Sequence, residues 1–164
     1  MTLASFTRTG LAVLAAASVG ACTFAQGPPV VSPTKVLSMT SAPVKGADAR
    51  FAFVRITGVP AELLQPLNAA LRNHAAARHV TIVPEGDASA TFVVKGYLSA
   101  IGDTRSTLLV YVWDVFDLSG RRLRRISGQE MGKGAMTDPW TGISQESVET
   151  AAKSTIDELA AWID

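Results

Sequence analysis

The chain has 164 residues, of which 48% are hydrophobic, 18% charged and 7% aromatic, a balance typical of a globular protein rather than a disordered or fibrous one. Its 15 basic and 14 acidic residues nearly cancel, and we therefore expect no nucleic-acid partner, because such binders usually carry a basic excess. The single cysteine excludes an intramolecular disulfide, so stability is expected to come from one apolar core.

The first residues have the pattern of an export signal. Residues 1–10 are polar and carry one positive charge at Arg8, and residues 11–19 form an apolar run of Leu, Ala and Val. This run is about half of the roughly 20 residues that cross a bilayer as a helix. The pattern therefore predicts a removable signal peptide over residues 1–21 rather than a permanent transmembrane anchor.

Small residues and the only cysteine follow this apolar run. The stretch Val19-Gly20-Ala21-Cys22 resembles the lipobox of bacterial lipoproteins. The resemblance implies cleavage between Ala21 and Cys22, and acylation of Cys22 by enough lipid to hold the protein on a membrane. Thr23 in place of Asp resembles the pattern of lipoproteins sent to the outer membrane, which implies a periplasm-facing protein. An ordinary secretory signal that leaves a free thiol is the alternative.

A stalk and a domain are expected after the cysteine. Residues 22–50 contain four prolines among Ser, Thr, Gly and Ala and show no sustained period of 3.6 or 2, which predicts a flexible stalk. Residues 51–164 then carry the regular periodicities of a folded domain.

The first half of this domain predicts a strand, a helix and a second strand. Residues 51–57 alternate in character and end at Gly58, as in a strand. Apolar residues at helical spacing begin at Leu63 and predict a helix that is bent or restarted at Pro66. Residues 79–83 are β-branched and apolar. A strand, a helix and a strand in succession favour a crossover between two parallel strands.

The second half predicts three strands and a final helix. Strand-like runs at residues 91–101, 107–116 and 122–131 are separated by turn residues and predict an antiparallel meander. Apolar residues from Val148 to Ile163 step by three or four, and Ser144 with Glu146 supplies a capping signal. We predict an α+β two-layer sandwich in the order β-α-β-β-β-α, with a mixed sheet of four or five strands and two helices on one face.

This element order in a lipid-anchored protein resembles several periplasmic families. They are the amino-terminal domain of TolB, the penicillin-binding-protein activator LpoB, the curli-secretion lipoprotein CsgG and, more loosely, the lipopolysaccharide-assembly lipoprotein LptE. The stretch Ala90-Thr91-Phe92-Val93-Val94-Lys95-Gly96-Tyr97-Leu98 is similar to a strand opening that recurs in them. The resemblance implies a docking or assembly module and carries no catalytic or binding motif.

Patterns that would carry chemistry are incomplete. His74 and His79 are five residues apart, without a Cys or acidic cluster beside them, so they do not predict a metal site. Asp114 and Asp117 fall on opposite faces of a strand, which disfavours a paired-carboxylate site. The chain has no Gly-x-Ser-x-Gly elbow, and the glycines around Lys133 lack phosphate-loop spacing. We predict a protein that is not an enzyme and has no catalytic residues, metal or cofactor.

The strand at residues 107–116 is apolar on both faces. Leu109, Tyr111, Trp113 and Val115 share one face, and Leu108, Val110, Val112 and Phe116 share the other. Two helices leave open whether one face is an exposed interaction surface or whether the strand is buried on both sides.

Arginines concentrate in the following hairpin, at Arg121, Arg122, Arg124 and Arg125. They could meet an acidic partner, anionic lipid or lipopolysaccharide phosphates. Alternatively, they are solvated charges that protect a sheet edge from aggregation. The candidate partner surface comprises Tyr111, Trp113, Arg122 and Arg124.

The leading hypothesis is a non-enzymatic cell-envelope lipoprotein, anchored in the membrane through its N-terminal lipid, that docks an envelope protein. The alternative is a factor that binds or assembles lipid or lipopolysaccharide. A lipid carrier needs an apolar cavity or groove, whereas a docking module should be packed solid with apolar residues on its surface.

Overall fold

The computed structural model describes residues 41–164, which form a five-stranded sheet and two α-helices. The signal peptide, Ala21 and Cys22 lie outside the described residues. The strands and helices are β1 Arg50–Thr57, α1 Ala61–Ala77, β2 Thr81–Val83, β3 Phe92–Gly102, β4 Ser106–Phe116, β5 Arg122–Lys133 and α2 Gln145–Ile163. Short 3-10 helices lie at Gly46–Asp48 and Pro139–Gly142. The predicted α+β class and the order β-α-β-β-β-α are confirmed.

The sheet is mixed, with strand order β2-β1-β3-β4-β5. β1 pairs in parallel with both β2 and β3, whereas β3, β4 and β5 pair antiparallel. The predicted parallel pair and the predicted meander are therefore both confirmed. β1 thus lies between β2 and β3, and the meander of β3, β4 and β5 extends the sheet on the β3 side of β1.

Each helix bears on one local prediction from the sequence, which concerns Pro66 in α1 and the N-terminal cap in α2. α1 runs through Pro66 as one element, so the predicted restart at that residue is wrong. Pro66 lacks an N–H, and only the carbonyl one turn earlier loses its helical bond. α2 begins at the predicted cap, where the Ser144 hydroxyl accepts a hydrogen bond from the Ser147 amide at 3.1 Å. This bond satisfies one of the free N–H groups of the first turn.

One face of the sheet packs against the helices and forms the core. The rings of Phe51 and Phe92 stack at 5.1 Å between centroids, and Trp162 of α2 lies 5.2 Å from Phe92. Buried side chains of both helices, including Leu67 and Leu159, belong to the same cluster. The sheet and the two helices therefore form two layers around a single core.

Two glycines in the strands make room for aromatic rings. Gly96 lies directly opposite Trp113, and Gly128 lies directly opposite Tyr111. A Cβ atom at either glycine would overlap the facing ring. The glycines thus allow both rings to lie flat over the neighbouring strands on the core side.

The segment just before β1 belongs to the domain. Ala42 and Ala49 are buried in the core, and the Lys45 Nζ donates a hydrogen bond to the carbonyl of Asp164 at 3.2 Å. The predicted boundary at residue 51 is therefore too late, because small apolar residues in this segment pack against the domain. The rest of the predicted stalk, residues 22–40, lies outside the described residues.

Candidate interaction surface

The structure assigns the two apolar faces of β4 to different environments. Tyr111 is 4% exposed and Trp113 is 1% exposed, and both lie in the core beneath the helices. The prediction that these two side chains line a partner surface is therefore wrong. Both rings point toward the side of the sheet that the helices cover, so their size contributes to core packing rather than to recognition.

Arg124 also points toward the helices. Its guanidinium donates a hydrogen bond to the Glu158 carboxylate of α2 at 3.1 Å and lies 6.0 Å from the Trp162 ring centroid. Its side chain is only 16% exposed. Arg124 therefore joins β5 to α2, and its predicted place on a partner surface is wrong. Arg122, the remaining member of that surface, is half exposed.

The other side of the sheet carries no helix in the described part of the chain. We call it the open face. Its residues alternate along each strand with the core residues and are half-buried or exposed, apart from the buried Asp114. Its members on the three antiparallel strands include Val93, Lys95, Tyr97, Ser99 and Ile101 of β3, Leu108, Val110, Val112, Asp114 and Phe116 of β4, and Arg122, Arg125, Ser127, Gln129 and Met131 of β5.

Four cations gather at one end of the open face. Lys95, Asp114 and Arg125 are direct neighbours across β3, β4 and β5, and Arg55 of β1 lies beside Lys95. Arg122 approaches the same carboxylate, with 3.7 Å between its Nη1 and Asp114 Oδ1. We call Arg55, Lys95, Arg122 and Arg125 the cationic cluster. Four positive charges against the one carboxylate leave a net charge of three positive.

The buried carboxylate of Asp114 positions Arg125 within this cluster. Arg125 donates two hydrogen bonds to it, from Nε to Oδ1 and from Nη2 to Oδ2, each at 2.7 Å. Such a paired geometry is the strongest arrangement of the two groups, and the hydrogen bonds raise the pKa of Arg125. The Lys95 ammonium lies 4.9 Å from the Phe116 ring centroid, within the range of a cation–π contact. Arg125 and Lys95 therefore have defined positions on the sheet.

The opposite end of the open face carries exposed apolar side chains. Ile101, Leu108 and Met131 are direct neighbours across β3, β4 and β5, and we call them the apolar row. Ile101 is 61% exposed and Met131 is 67% exposed. Six residues of strand separate the apolar row from Lys95, a distance of about 20 Å. The open face thus has two ends of different chemistry.

Sequence reasoning missed most of this surface. Lys95, Ile101 and Met131 were not singled out, and Asp114 was considered only as a partner for a second carboxylate. One signal was available, because Asp114 is the only charged residue of the 107–116 strand. Strand alternation places it on the face of Leu108 and Phe116, which marks that face as the less buried one.

The histidines have structural positions. The His74 Nε2 lies 2.7 Å from a Glu149 carboxylate oxygen and links α1 to α2. His79 follows α1 with a left-handed backbone angle φ of 57°. Within residues 41–164, no group of three or more His, Cys, Asp or Glu side chains is arranged to hold a metal ion.

Asp117 acts in the β4–β5 turn. Its carboxylate accepts hydrogen bonds from the hydroxyl and amide of Ser119 and from the backbone and side chain of Arg121. These bonds lower the pKa of Asp117 from 3.8 to about 2, the Ser119 hydroxyl having the largest effect. Asp117 therefore fixes the hairpin that presents Arg122.

A cavity of about 230 Å³ lies between α1 and β2. Its lining is mixed, with Phe53, Leu71 and Ile82 beside Asn68, Arg72 and Glu85. Pockets for drug-sized ligands span about 300–1,000 Å³ and are mostly apolar. This cavity is thus a poor match for the acyl-chain cavity that the lipid-carrier alternative requires. None of the helices in residues 41–164 has the length and hydropathy to cross a membrane.

Comparisons with known proteins identify similar folds only. No protein-family model matches the chain, and no curated protein matches it. A PelC dodecamer from Paraburkholderia phytofirmans is 14% identical, with a TM-score of 0.49 over 70% of this chain and 94% of that one. A substituted form of that dodecamer is also 14% identical, with a TM-score of 0.49 over 76% and 96% of the two chains. An uncharacterized protein is 11% identical, with a TM-score of 0.41 over 76% and 97%.

Proposed function

We propose that this protein is a lipid-anchored component of the bacterial cell envelope whose domain docks a protein partner and performs no catalysis. The observation that carries the proposal is the apolar row on the open face. Exposed apolar side chains that adjoin one another on a sheet are typical of an interaction site. Ile101 and Met131 flank the half-buried Leu108, which gives a partner a continuous apolar strip across three strands.

The anchor rests on the pattern around Cys22. An apolar run, small residues and the only cysteine follow one another at the depth expected for a lipoprotein signal. We propose acylation of Cys22 and a location at the outer membrane, facing the periplasm. The packed core supports docking over the lipid-carrier alternative, since the cavity beside β2 is small and partly polar.

The anchor is tested by expressing the full chain and its Cys22→Ala form in a Gram-negative host. We expect an acylated mass and a membrane location for the unaltered chain only, because Cys22 is the only thiol to receive the lipid. Intact-mass spectrometry and membrane fractionation give both readouts. A soluble, unmodified mature protein from both forms would contradict the anchor.

The docking surface is tested by placing a photoreactive amino acid at Ile101 or Met131 in living cells. Both positions are exposed and are expected to give a discrete adduct of the same mass. Lys153, which is exposed on α2, is the matched control and should give no such adduct. Introducing Met131→Asp should weaken the adduct from position 101, because an aspartate opposes burial of the apolar row. Equal adducts from Lys153, or none from the apolar row, would refute this docking surface.

A further inference from the structure

We propose that the cationic cluster rests on the anionic phospholipid headgroups of the membrane that carries the tether. This inference rests on the proposed lipid anchor and adds a second contact between the protein and the bilayer. The apolar row, about 20 Å away along the same strands, then remains available to the protein partner.

The first strand of the domain begins beside the cationic cluster. Lys45 contacts the carbonyl of Asp164 at the end of α2, and β1 begins at Arg50. β3 begins and β4 ends at this same end of the sheet, since Val93 pairs with Phe116. Lys95 lies two residues beyond Val93. β1 therefore begins at the end of the sheet that carries the cationic cluster.

The cationic cluster has the charge that an anionic membrane surface attracts. The cluster places four cations on β1, β3 and β5 around the one carboxylate of β4, so that it spans four neighbouring strands. With about 4.8 Å between neighbouring strands, this array is roughly 15 Å wide. Asp114 neutralises one cation and leaves a net charge of three positive on the cluster. Phosphate groups attract such cations, with a strength of about fivefold in affinity for each Lys or Arg near an anionic membrane surface.

The exposure of the cluster on a sheet surface favours a bilayer over an acidic protein. The cations lie on a sheet rather than in a pocket, and Arg55, Arg122 and Arg125 are exposed while Lys95 is half-buried. An array of cations spread over a sheet surface suits a surface of many headgroups better than one acidic side chain. The proposed lipid anchor keeps the domain near a bilayer, so even a weak attraction is sufficient, because tethering raises the effective concentration.

The test uses the mature chain, residues 22–164, in its Cys22→Ala form, so that neither acylation nor the apolar signal peptide contributes to binding. Sedimentation measures its affinity for vesicles of phosphatidylcholine alone and for vesicles that also contain phosphatidylglycerol. The test variant is Arg55→Gln with Arg122→Gln. The matched control is Arg105→Gln with Lys133→Gln, because it removes the same charge from exposed positions at the opposite end of the sheet.

We expect binding that requires phosphatidylglycerol and weakens as salt rises from about 0.05 to 0.5 M, over which the Debye length falls about threefold. The test variant should bind about 25-fold more weakly, from two cations at about fivefold each, and the control should change by less than about twofold. Equal losses in both variants, or no preference for phosphatidylglycerol, would overturn the inference. Binding of the cluster to polyglutamate but not to vesicles would also overturn it in favour of an acidic protein. The acylation assay on Cys22 is independent, so failure of the anchor and failure of this contact are distinguishable.

Discussion

Replacing Arg125 by Gln tests whether the Asp114–Arg125 pair stabilises the sheet as well as ordering the cationic cluster. The Asp114 side chain is 6% exposed and that of Arg125 is 51% exposed. Removing one member of a fully buried pair lowers the free energy of unfolding by about 3–5 kcal/mol, whereas an exposed pair contributes about 1 kcal/mol or less. One buried and one half-exposed partner give an intermediate loss, and we expect about 2 kcal/mol for Arg125→Gln.

The assay is urea unfolding followed by circular dichroism at neutral pH. With a denaturant slope of about 1–3 kcal/mol/M, a loss of about 2 kcal/mol lowers the midpoint by roughly 1 M. Arg122→Gln is the matched control, because the Arg122 guanidinium lies 3.7 Å from the Asp114 carboxylate, farther than that of Arg125. This replacement should lower the free energy of unfolding by less than about 0.5 kcal/mol.

The double variant Asp114→Leu with Arg125→Met completes the cycle. It should recover most of the lost stability, because it leaves no buried charge without a partner. The stabilising role of the pair is refuted if Arg125→Gln has no more effect than Arg122→Gln. It is also refuted if the losses measured for Asp114→Leu alone and Arg125→Met alone simply add in the double variant.

Three other predictions concern the fold. Gly96→Ala should lower the free energy of unfolding by about 1–3 kcal/mol, because the added methyl group overlaps the Trp113 ring; thermal unfolding measures this, and an unchanged melting temperature would contradict it. Ser144→Ala should lower stability by about 1 kcal/mol through loss of the α2 cap, which urea unfolding detects, while an unaltered midpoint would argue against the cap. Asp117 has a folded-state pKa of about 2 against an ordinary value of 3.8, so its charged form stabilises the folded state above pH 3.8 and this contribution is lost as the pH falls toward 2. The difference in free energy of unfolding between the unaltered chain and Asp117→Asn should therefore be largest near neutral pH and should shrink as the pH falls from 3.8 toward 2. A difference that does not change with pH would count against the assigned role of Asp117.

The candidate surface was only partly predictable because it depends on which face of β4 the helices cover. Both faces of this strand are apolar, so hydrophobic periodicity alone left the choice open. The largest side chains, Tyr111 and Trp113, suggested an interaction surface, yet Gly96 and Gly128 provide space for them in the core. That match becomes visible only when the strand register is known, because each glycine faces its ring from a different strand.

Strand alternation also places neighbouring arginines of β5 on opposite faces of the sheet. Arg124 points toward α2 and binds Glu158, whereas Arg125 points to the open face and binds Asp114. From the sequence, four arginines in five residues predict either a binding patch or a protected edge. In the structure, β5 is an edge strand of the sheet, and its arginines contribute to both sides of it.

By itself, the sequence determined the class of the domain, the order of its elements and the cap of α2, because these depend on local periodicity and on short-range hydrogen bonds. The tertiary structure alone decided that β3 pairs with the free side of β1, that residues 41–50 pack with the core, and that Lys95, Asp114 and Arg125 become neighbours. These features join residues that are up to 119 positions apart, as in the contact between Lys45 and Asp164. Such contacts depend on how faces and edges fit together in space, and a one-dimensional pattern of apolar and polar residues does not encode that fit.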